Sequence, residues 1–77
     1  MEKQITDGAF DESNITFIGR RKLKIENYRS ILVFQEEEIR IQTKRYKIKI
    51  AGKRLEIPYY DKEEMEITGL IESVRFE

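Results

Sequence analysis

Residues 15–41 read ITFIGRRKLKIENYRSILVFQEEEIRI, and the spacing of the apolar side chains in this stretch decides the fold class. Ile15 and Phe17, Leu23 and Ile25, Ile31 and Val33, and Ile39 and Ile41 all fall on odd positions, and the pairs recur every eight residues. Period two places such side chains on one face of an extended strand, whereas a helix needs spacings of three and four. The intervening positions carry Lys22, Lys24, Glu38 and Arg40, as a solvated opposite face requires.

The same pattern continues towards the C-terminus with changes of phase. After Thr43-Lys44-Arg45 the apolar set moves to even positions (Tyr46, Ile48, Ile50), then returns to Leu55, Ile57, Tyr59, Met65 and Ile67. Ile71, Val74 and Phe76 contain one more shift, the mark of a bulge. A one-residue slip within a strand would expose its apolar set, so each shift belongs in a turn or a bulge. Gly19-Arg20, Glu26-Asn27-Tyr28-Arg29, Gln35-Glu36-Glu37, Ala51-Gly52-Lys53 and Asp61-Lys62-Glu63 read as the turns. Pro58 has no N–H to give a ladder and points to an edge strand or strand end. Ser30–Phe34 is apolar on both faces and reads as a strand covered from both sides. Leu23, Ile39, Leu55 and Ile71 recur at sixteen-residue intervals, a hairpin-sized unit. The expected fold is therefore all-β: residues 1–13 form a flexible N-terminal arm, and 14–77 form a single domain. That domain is an antiparallel meander of about seven to eight short strands closing into a small sandwich or partial barrel. A β-solenoid-like stack is the alternative.

One face of such a sheet is greasy, and no segment keeps helical periodicity long enough to roof it. The sheet must fold on itself or pack against another molecule, since a bare apolar layer exceeds what soluble monomers expose. A homo-oligomer is the corresponding expectation. The chain is short enough to need such help, and it has neither Cys nor His to supply disulfides or common metal staples. Its 15 basic and 15 acidic residues cancel, unlike the strongly basic balance of proteins that wrap nucleic acid. Met1–Asp7 lacks the apolar stretch of a signal peptide, and no run approaches a membrane span, so a cytoplasmic location is expected.

Without Cys or His, zinc, iron and thiol chemistry are closed, which leaves carboxylates. The densest are Glu36-Glu37-Glu38 and Asp61, Glu63, Glu64 and Glu66. Glu64 and Glu66 would project from one strand face as an acid/base pair does, but alternation alone produces that spacing. No catalytic, cofactor-binding or metal-binding residue is assigned, no cofactor is expected, and the chain reads as non-catalytic. A basic strip over residues 44–54 (Lys44, Arg45, Lys47, Lys49, Lys53, Arg54) contains no acid. It suits single-stranded nucleic acid or anionic lipid, although Tyr46 lies in the inward phase and no ribonucleoprotein-type aromatic motif accompanies it. Plain solvation of an outward face explains the strip as well. Tyr59-Tyr60 reads as core or strand end, Gly19, Gly52 and Gly69 as turn or bulge positions, and Asn14-Ile15-Thr16 as a chance acceptor pattern.

The order Ile15-Thr16-Phe17-Ile18-Gly19, Ile25-Glu26-Asn27-Tyr28-Arg29-Ser30-Ile31, Ile39-Arg40-Ile41, Ile48-Lys49-Ile50-Ala51-Gly52-Lys53-Arg54-Leu55 and Ile67-Thr68-Gly69-Leu70-Ile71-Glu72-Ser73-Val74-Arg75-Phe76 resembles the YabP/YqfC family of bacterial sporulation proteins, in its YqfC-type branch. The resemblance covers about residues 14–76. Asn14 stands where members often have Pro, Ser30 where Gly is common, and the arm is shorter than usual. The resemblance implies a mother-cell protein acting in spore envelope and cortex maturation. It would be a structural or adaptor protein beside a membrane-anchored sporulation partner, peripheral at the forespore membrane. The family carries no known active site.

Overall fold

The structure is a computed structural model that describes residues 12–77. It contains six strands, β1 (Asn14–Ile18), β2 (Lys22–Glu26), β3 (Ser30–Phe34), β4 (Glu38–Gln42), β5 (Lys47–Tyr60) and β6 (Glu64–Phe76), and no helix among the described residues. All neighbours pair antiparallel in one sheet of order β1-β2-β6-β5-β4-β3. The all-β class matches the expectation. β3 to β6 form the expected meander, whereas β1 and β2 form a hairpin that docks on β6. The count falls to six because β5 runs on through Ala51-Gly52-Lys53, read above as a turn, and β6 runs on through Gly69, read as a turn or bulge.

That correction centres on Ala51-Gly52-Lys53, which lies inside β5 and does not form a turn. The β5–β6 register slips between Ala51 and Gly52 and again between Lys53 and Glu56, and Arg54 adopts a left-handed φ of 55°. A bulge inserts a residue, bends the strand and turns the residues beyond it to the opposite face, so it produces the same parity change as a turn. Two glycines allow the close approach at this crease. A Cβ on Gly52 would lie 2.1 Å from the Leu70 carbonyl oxygen, and one on Gly69 (φ 130°) 2.6 Å from that of Arg54.

The crease divides the sheet into two wings. The first holds β1, β2, the start of β6 and the end of β5; the second holds β3, β4, the start of β5 and the end of β6. Only Asn27-Tyr28-Arg29 connects β2 to β3. Such a link reaches about 14 Å, whereas β2 and β3 would stand about 19 Å apart in a flat sheet. The sheet must therefore fold over. The link touches both wings: the Asn27 N–H donates to the Glu63 carbonyl (2.7 Å) and the Arg29 N–H to that of Gln42 (2.7 Å). Asn27 takes φ 67°, a conformation asparagine tolerates.

Folding brings the inward sets of both wings into one core. Leu23, Ile25, Ile39, Ile41, Ile48, Ile50, Leu55, Met65 and Ile67 are essentially inaccessible, and Tyr28 closes the linker end. Ile15, Ile31, Tyr46, Ile57, Ile71 and Val74 pack around them half-buried. The Tyr28 hydroxyl donates to the Asp61 carbonyl, and its removal from water, with Asp61 nearby, pushes its pKa up. β3 departs from its sequence reading. It is an edge strand, with Leu32 and Phe34 exposed, and a bulge between Ile31 and Val33 sets Phe34 opposite Ile39. Of the arm assigned to 1–13, residues 1–11 lie outside the described residues. Ser13 Oγ donates to the Asn27 carbonyl (2.7 Å), and the Glu12 carboxylate meets Arg45 (3.2 Å).

Candidate functional site

Of the acidic side chains that suggested chemistry, Glu38, Asp61, Glu64 and Glu66 are engaged structurally. Glu66 pairs with Lys22 and Glu64 with Lys24, each at 3.3 Å, so their strand-face spacing serves a charge ladder on the outside of the first wing. Lys24 also approaches Glu26 at 3.7 Å, and its pKa is raised, chiefly through its hydrogen bond to Glu64. Asp61 shapes the β5–β6 turn: its Oδ1 accepts the N–H groups of Glu63 and Glu64 at 2.8 Å each, and its Oδ2 accepts the Tyr59 hydroxyl at 2.6 Å. These bonds, the Tyr59 one foremost, hold its carboxyl below the usual range. Among the described residues, no group of three or more His, Cys, Asp or Glu side chains could hold a metal.

The basic strip divides. Lys44 and Arg45 sit in the β4–β5 turn, and Lys53 and Arg54 at the crease, while Lys47 and Lys49 lie on the outside of the second wing. Lys49 stands in register between Arg40 of β4 and Arg75 of β6, a row of three cations across adjacent strands. Arg40 Nε donates to the Glu38 carboxylate. The row was not readable from the strip, because two of its members come from other strands. Tyr46 points inward and meets Phe76 edge-on, with centroids 5.3 Å apart. Tyr59 and Tyr60 are both exposed at the end of β5, so the core reading fails, including the inward phase read for Tyr59, and the strand-end reading holds.

The remaining feature is the set of open strand edges. Among the described residues β1 and β3 end the sheet, β4 covers only residues 47–51 of β5, and β2 covers only 64–68 of β6. The end of β5 and the end of β6 therefore have one sheet neighbour each among the described residues. Between β1 and the end of β6 lies a groove of ≈ 480 Å³ lined by Ile15, Phe17, Ile71, Val74 and Phe76, with Glu72 and Ser73. Phe17 is 57% exposed and Phe76 61%. A strand edge with no sheet neighbour among the described residues, beside apolar side chains, is the kind of surface that accepts an added strand.

The described residues thus form a small all-β module: a folded, six-stranded sheet with a paired charge ladder and an apolar side groove. Residues 10–77 match the family model described as the YabP family. The chain is also 37% identical over 70 residues to a Bacillus subtilis (strain 168) protein named uncharacterized protein YqfC; the match covers 91% of this chain and 75% of that protein. The chain belongs to the YabP family, in accord with the resemblance read from its sequence. No solved structure matches it significantly. No helix among the described residues is long and apolar enough to cross a membrane.

Proposed function

We propose that this chain is a non-catalytic structural and adaptor module of bacterial endospore formation. It works by self-association and by docking on a membrane-anchored sporulation partner in the mother cell, at the forespore membrane. The observation that carries the reading is the apolar groove beside strand edges that have no sheet neighbour among the described residues, on a chain whose Glu64 and Glu66 are held in ion pairs. Membership of the YabP family supports a sporulation-related setting. Deleting the gene in the parent bacterium tests it. Vegetative growth is expected to stay normal while the yield of heat-resistant spores falls, and an intact copy should restore it. Full spore resistance in the deletion strain would remove the reading.

The Arg40–Lys49–Arg75 row favours a second reading, contact with an anionic surface through the outside of the second wing. Lys49→Glu should then abolish salt-sensitive binding to phosphatidylserine vesicles or to single-stranded RNA. Equal binding by the variant would dismiss it.

A further inference from the structure

The four edges left open among the described residues are not equivalent. Proteins blunt exposed edges with charges, proline or bulges. β3 carries the bulge between Ile31 and Val33, the end of β5 carries Glu56 and Pro58, and the end of β6 carries Glu72 and Arg75. β1 has none of these. Its five residues, Asn-Ile-Thr-Phe-Ile, are uncharged, include three β-branched side chains, and keep an unbroken register with β2. Phe17 and Ile18 are exposed on its two faces.

We infer that β1 is the site at which a second copy of this chain adds, antiparallel, about a two-fold axis at Thr16. This deepens the self-association in the proposed function and rests on that reading. The sequence around Thr16 is self-complementary in this orientation. Ile15 of each copy comes opposite Phe17 of the other, extending the inward apolar face, and Thr16 meets Thr16, a favourable cross-strand pair. The added strand carries its own Phe17 towards the groove formed with Ile71, Val74 and Phe76. Charge selects the same orientation. The flanks of β1 are Glu12 on one side and Arg20 on the other, so antiparallel pairing brings each Glu12 alongside the second copy's Arg20. Parallel pairing would set like charges together. Glu12 already reaches across to Arg45, and exposed Arg20 adds a second cation to it. The result is one continuous sheet through both first wings, with both β1 edges consumed, so growth stops at two.

The test is the mass of the full-length chain in solution, by sedimentation velocity and light scattering. At about 100 µM the wild type is expected at twice the 9.3 kDa chain mass. Thr16→Glu places a carboxylate opposite Lys24 within its own chain, which the fold accepts, and opposite its own copy across the axis, which the dimer does not. Glu12→Arg and Arg20→Glu, taken alone, each create two like-charge contacts and should weaken association about tenfold or more. Mixing these two variants in equal amounts restores opposite charges at both contacts and should restore the dimer. If Thr16→Glu fails to fold, by circular dichroism, the charge-swap mixture still decides. A monomeric wild type, single variants that remain dimeric, or a mixture that stays monomeric would each overturn the proposal. None of these results depends on spore formation, so the dimer and the sporulation role can fail separately.

Discussion

Replacing Gly52 by alanine tests the crease on which the two-wing architecture depends. The added methyl would lie 2.1 Å from the Leu70 carbonyl oxygen and 3.1 Å from a Leu55 methyl. Ordinary carbon–oxygen contacts need about 1 Å more than the first of these, so the two backbones must part at the bulge. Shifting β5 away from Leu70 drives it into the Gln35–Glu38 turn on its other side and distorts the Gly52 N–H bond to Glu37 (3.1 Å) and the Leu55 N–H bond to Glu36 (2.8 Å). Two main-chain bonds at about 1 kcal/mol each, plus about 1–3 kcal/mol of overpacking, give a loss of about 3–5 kcal/mol. A chain of this size has roughly 4–12 kcal/mol in all, so the melting temperature should fall by about 15–30 °C. Far-UV circular dichroism melts at one fixed protein concentration measure it. Gly19→Ala is the control. Nothing lies within 4 Å of its Cβ, and only its φ of 68° opposes the change, which costs about 1–2 kcal/mol. If Gly52→Ala melted within a few degrees of the wild type, or no lower than Gly19→Ala, the crease would not be a close backbone contact and the two-wing account would fail.

Two further outcomes concern the linker and the β5–β6 turn. Tyr28→Phe removes the hydroxyl that donates to the Asp61 carbonyl and should cost about 0.5–1.5 kcal/mol, read as a lower urea midpoint with unchanged slope. Asp61 has a folded pKa below its unfolded value, so its carboxylate stabilises the fold above the unfolded pKa, and that contribution is lost as pH falls through the folded pKa. Asp61→Asn should therefore flatten the acid limb of melting temperature against pH below about pH 4–5. An identical acid limb in both proteins would refute the assignment.

Strand alternation was legible because it depends only on neighbours along the chain. Leu23, Ile25, Ile39, Ile41, Ile48, Ile50, Met65 and Ile67 all read as inward, and all are buried. What the pattern could not distinguish was a turn from a bulge at Ala51-Gly52-Lys53. Both flip parity, and only pairing with the distant residues 70–73 makes this one a bulge. The same limit applies to β3: apolarity on both faces suggests a covered strand, but β2 pairs with the distant β6 and leaves β3 at the sheet's end. Tyr28 was hidden in a turn, since a lone aromatic between Asn27 and Arg29 carries no period, yet folding seats it over the core. The Arg40–Lys49–Arg75 row depends on register between strands, and its two arginines lie outside the basic strip.

β2 finds its second neighbour far down the chain: Lys22 meets Thr68 and Glu26 meets Glu64. At a translation rate of about 5–20 residues per second, some 2–8 seconds pass between emergence of the β1–β2 hairpin from the ribosome and arrival of the strand that completes it. During that wait Leu23 and Ile25 have no shelter, and the unguarded edge of β1 is already present. Encounter between neighbouring nascent copies on one message would then precede, and compete with, closure of each chain upon itself.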